Sequence, residues 1–87
     1  MRTSILTRMR AEALFASDLQ PSQHPTPTQV RVAVMRSIRR HRVAGCAALM
    51  AQEYGEHPVE AVARMRWSTD AVGDAYAPVR RWTMRAG

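Results

Sequence analysis

Five arginines, Arg31, Arg36, Arg39, Arg40 and Arg42, fall within residues 30–42, a stretch that holds no acid. A guanidinium presents a planar fork of donors that matches phosphate or carboxylate oxygens, so such a run suits an acidic partner, above all a nucleic-acid backbone. Contact with five phosphates corresponds to a slope of about -4.5 in log K against log salt. A second cluster, Arg64, Arg66 and Trp67, follows residues 43–63, which carry Glu53, Glu56 and Glu60 and no base. On a helix lying in the major groove, Arg64 could read guanine bidentately, and Trp67 could offer a stacking face. The competing reading pairs Arg64 with Glu60 one turn earlier on a solvated helix face, and makes Trp67 a core anchor.

Other chemistry is poorly supplied. His24, His41, Cys46 and His57 include no Cys-x-x-Cys or His-x-x-x-His pair, so no metal site is expected. Glu53, Glu56 and Glu60 beside His57 lack a nucleophile and a glycine-rich phosphate loop, so no catalytic residue, no cofactor and no enzyme activity are expected. Cys46 lies among small apolar neighbours in Gly45-Cys46-Ala47-Ala48 and reads as a packed core thiol. Near the end, Arg80, Arg81, Trp82 and Arg85 form a basic arm.

The elements that must position these residues are helical. A first helix over residues 4–17 places Ile5, Leu6, Met9, Ala13 and Ala16 on one face. Residues 18–27 contain three of the five prolines and read as an extended connector. Thr26-Pro27-Thr28-Gln29 is a capping box with proline at the first helical position, so a second helix starts there. Its Val30, Ala33, Val34 and Ile38 face inward and its arginines outward. A third helix over residues 44–54 is expected to stop at Gly55. A fourth opens at His57-Pro58 and runs at least to Thr69. Ala51, Gly55, Val62 and Met65 have nearly the spacing of a helix-turn-helix, with a turn one residue longer than usual. That arrangement turns Ala61, Val62 and Met65 inward and His57, Glu60, Ala63, Arg64 and Trp67 outward. The fold expected is all-α: four helices in one domain over residues 1–76, then a basic tail, 77–87.

Composition agrees. The 87 residues include 13 basic residues, all arginine, against 7 acids, for a net charge of +6. Leu, Ile, Val and Phe number 15, roughly 17% of the chain, so the core is thin and a homodimer is expected to complete it. One cysteine, no signal-peptide core and no long apolar run place the chain in the cytoplasm, without a membrane partner.

The segments Leu19-Gln20-Pro21-Ser22, Gly45-Cys46-Ala47-Ala48, Ala51-Gln52-Glu53-Tyr54-Gly55-Glu56-His57-Pro58 and Arg64-Met65-Arg66-Trp67 resemble a family of small proteins from Streptomyces and other actinomycetes. The resemblance covers about residues 13–67, implies a bacterial cytoplasmic setting and brings no activity. The expectation is therefore a DNA-binding transcription regulator or accessory factor, near the nucleoid, with an adaptor for an acidic protein partner as the alternative.

Overall fold

A computed structural model describes residues 4–77 and shows an all-helical fold: α1, Ile5–Phe15; α2, Pro27–Glu56; and α3, Pro58–Ala75. The basic arm at Arg80, Arg81, Trp82 and Arg85 lies outside the described residues. No helix among them is long and apolar enough to cross a membrane.

Local chemistry sets most boundaries. Ser4 caps α1 by accepting the Thr7 amide at 3.0 Å. At α2 the expected capping box forms in full: Thr26 Oγ1 accepts the Gln29 amide at 3.2 Å, and Gln29 Oε1 accepts the Thr26 amide at 2.8 Å. The connector is less extended than its prolines imply. Gln23 Oε1 accepts the Gln20 amide at 2.7 Å and the Gln23 amide donates to the Gln20 carbonyl at 3.0 Å, forming a single 3-10 turn, Pro21–Gln23, which His24 closes in the left-handed region at φ 48°.

The expected second and third helices are two arms of α2, separated at Arg42, whose φ of 64° and ψ of 168° are not helical. This region is occupied almost only by glycine, and a side chain there costs roughly 1–3 kcal/mol. The break lets the arms fold toward each other. Nine residues of unbroken helix would span roughly 13 Å, yet the Cys46 thiol donates to the Ser37 carbonyl at 3.6 Å. Gly45 packs closely beside it: a Cβ there would stand 3.1 Å from the His41 Cβ, so a larger residue would push His41 aside by a few tenths of an ångström.

Gly55 does not end the element as expected. It stays inside α2 without positive φ, and only His57 separates Glu56 from Pro58. The stop comes from Pro58, which disfavours helical backbone in the residue before it; His57 sits at φ -139°. Helix α3 then continues past Gly73 to Ala75.

The core joins all three helices through Ala13, Leu14, Val30, Val34, Cys46, Val72 and Ala75. On α2 the apolar face lies where periodicity puts it. On α1 the inward set is Ala11, Ala13, Leu14 and Phe15, whereas Ile5 and Leu6 are exposed. On α3 the seam is Ala61, Ser68, Val72 and Ala75, and Val62 is exposed. Small residues form this seam because they let neighbouring backbones approach. The Ser68 hydroxyl is fully buried there with no hydrogen-bond partner among the described residues.

Candidate nucleic-acid interface

The capping box at Thr26 fixes the register of α2, and with it the direction of every arginine on its first arm. Arg36, Arg39 and Arg40 are exposed, as is Arg42 at the break. No acid occurs on α2 before Glu53, so no carboxylate on this arm competes for them. Arg36 and Arg40, one turn apart, line a cleft of about 800 Å³ between the α1–α2 connector and α2, together with Ser37, His41 and Asp18. Arg39 leans along the helix, its Nη2 3.7 Å from the Met35 sulfur.

Arg31 belongs to the same run but is partly engaged. Its Nη1 donates to the Ala75 carbonyl at 2.7 Å and its Nη2 to Thr28 Oγ1 at 3.1 Å, so it caps the C-terminal end of α3. A cation at that end also opposes the helix dipole. Arg10, over the Tyr76 ring at 3.9 Å, supports the same corner.

Arg64 departs from the expected outward position. The register that buries Ala61 and Ser68 carries position 64 into the same seam, where the side chain is half-buried against the end of α1. Its Nε donates to the Phe15 carbonyl at 2.9 Å, and its Nη2 to those of Ser17 at 3.0 Å, Leu19 at 2.9 Å and Leu14 at 3.4 Å. The Leu14 carbonyl also accepts the Ser17 amide at 3.0 Å and the Ser17 hydroxyl at 2.6 Å; one planar cation gathers it with the carbonyls of Phe15, Ser17 and Leu19. Burial pulls the Arg64 pKa below its ordinary value, while the carboxylates of Asp18 and Glu53 oppose that shift. Trp67 is likewise corrected: it packs half-buried against the core, its ring 5.1 Å from the Arg64 guanidinium carbon. Arg66 is exposed, but it lines a separate shallow hollow with Tyr54, Val62 and Asp70.

The structure thus gathers Arg36, Arg39, Arg40 and Arg42, engages Arg31 in part, and separates Arg66 from them. It removes Arg64 and Trp67 from any groove-facing set. It also collects Glu53, Glu56 and His57 at the α2–α3 corner, with ligand-capable atoms within 4.8 Å of one another, all three residues exposed. Glu53 and His57 are spaced i, i+4 in the sequence, a carboxylate–imidazole pair that the His-x-x-x-His and Cys-x-x-Cys patterns do not include. Gln52 donates to Glu56 Oε2 there at 3.2 Å.

No protein-family model, curated protein or solved structure matches the chain.

Proposed function

We propose that this chain is a small DNA-binding protein, a transcription regulator or accessory factor, that grips the phosphate backbone through α2. The observation that carries this reading is the set of four exposed guanidinium groups at positions 36, 39, 40 and 42, on an arm without acids. Backbone contact fixes position and orientation and carries no base readout. A reading helix placed in the major groove by a helix-turn-helix has less support. Such a unit turns over about three to four residues, whereas His57 alone stands between α2 and α3.

Fluorescence anisotropy of a labelled mixed-sequence duplex in low salt, about 50 mM, tests the proposal. Four phosphate contacts correspond to a slope of about -3.6 in log K against log salt. Replacing Arg36, Arg39, Arg40 and Arg42 together by Gln should abolish binding while leaving the circular dichroism spectrum unchanged. Undetectable binding of the unaltered chain, or a slope near zero, overturns the reading.

A second reading, attachment to a protein, is favoured by a groove of about 570 Å³ where exposed Leu6, Val32 and Met35 meet Met9 and Ile38. A docking face built from Val59, Ala63 and Trp67 is less suited, because Trp67 packs against the core. The groove could equally receive a second copy of the chain, and sedimentation analysis distinguishes the two occupants.

A further inference from the structure

We infer that the cleft between the α1–α2 connector and the first arm of α2 is a binding site for a small phosphate monoester with an apolar body. This goes beyond the DNA reading and does not require it. The cleft, about 800 Å³, falls within the range of ligand pockets, roughly 300–1,000 Å³. Its walls differ in chemistry. Leu19, Val32 and Ala33 supply apolar surface, while Arg36 and Arg40 stand one turn apart with Ser37 and His41 among the lining residues.

Two guanidinium groups one helical turn apart give several donors to one anion, and a phosphate monoester offers three terminal oxygens to receive them. Ser37 lies between Arg36 and Arg40 in the chain. It is 5% exposed and lines the cleft, yet its hydroxyl takes part in no side-chain hydrogen bond among the described residues. Its only such contact is through its carbonyl, which accepts the Cys46 thiol. As a residue of the cleft lining, Ser37 adds a hydroxyl donor that a phosphate oxygen can accept. Asp18 also lines the cleft and is exposed; its carboxylate repels a phosphate, so the anionic head belongs at Arg36 and Arg40. Because Arg36 and Arg40 are also the proposed backbone contacts, ligand and DNA compete.

The test is calorimetric titration of the full chain with phenyl phosphate and, separately, with inorganic phosphate. Phenyl phosphate is expected to bind several-fold more tightly than inorganic phosphate, since only the ester reaches the apolar wall. Replacing Arg36 and Arg40 by Gln should weaken phenyl phosphate by about tenfold or more. The smaller change Ser37→Ala should weaken it by a few-fold. The pair Arg39→Gln and Arg42→Gln, outside the cleft lining, should leave it unchanged while still weakening DNA. No heat up to about 10 mM phenyl phosphate, equal affinity for inorganic phosphate, or equal loss in the two arginine pairs each overturns the site. Phenyl phosphate binding without DNA binding would sink the DNA proposal alone.

Discussion

Arg64 and the run from Arg36 to Arg42 contain the same side chain in opposite settings. Arg64 lies in the helical seam, with two backbone carbonyls from the end of α1 and two from the connector that follows it around its guanidinium. Arg36, Arg39, Arg40 and Arg42 stand exposed on an arm that carries no acid. Arginine count therefore overstates the surface available to an anion. What separates the two settings is the register of the helix that carries each residue, set on α2 by the Thr26 cap with buried Val30 and Val34, and on α3 by the packing of Ala61 and Ser68.

The largest expected effect breaks the comparison directly. Arg64→Leu leaves carbonyls without their cationic donor and should lower unfolding free energy by about 2–3 kcal/mol in urea titration, while any DNA affinity stays within about twofold. Loss of DNA binding by folded Arg64→Leu would show the two settings are not distinct. Conversely, Arg36→Gln or Arg40→Gln should change stability by less than about 0.5 kcal/mol. Two intermediate effects raise stability. Arg42→Gly relieves the strained backbone and should gain about 1 kcal/mol, after allowing for glycine's entropy, while reducing the DNA salt slope by about 0.9. Ser68→Ala removes a buried, unpartnered hydroxyl and should gain about 1 kcal/mol by the same measurement.

The smallest effect concerns pH. Burial, and next the charge of Glu12, raise the Cys46 pKa above its ordinary value of 9.0. The folded state then holds the thiol proton more tightly than the unfolded state. This contribution to stability is full below the unfolded thiol's pKa and declines as pH rises through and above about 9. Thermal unfolding midpoints should fall across that interval, and Cys46→Ala should show a shallower fall. A native Cys46 that reacts freely with a thiol reagent at neutral pH would contradict its burial.

What the sequence made legible was local. Thr26 and Gln29 lie three residues apart and signal a helix start by themselves, and His57-Pro58 does the same for α3. The α2 apolar face was legible because Val30 and Val34 are both large and periodic. The α3 face was legible only in part: Ala61 was expected inward and is buried, but Ser68, Val72 and Ala75 complete the seam, and small or polar residues score poorly beside Val62, which is exposed. Arg64 was misplaced for a further reason. Its acceptors are main-chain carbonyls 45–50 residues away, and backbone atoms leave no mark on residue type. Gly55 offered a common stop signal, but the adjacent proline determined the boundary.

The break at Arg42 also bears on how quickly the domain can assemble. A continuous helix from Pro27 to Glu56 would be a rod of roughly 45 Å with no contacts between its ends. Divided at Arg42, the same segment brings Val30, Val34 and Cys46 into one cluster. Those residues are at most sixteen apart in the chain, so this part of the core closes only short loops. Short-range closure carries a small entropic cost, and helical proteins dominated by it fold in microseconds to milliseconds. One residue in an unfavourable conformation thus converts a rod into a local hairpin and shortens the search for the native state.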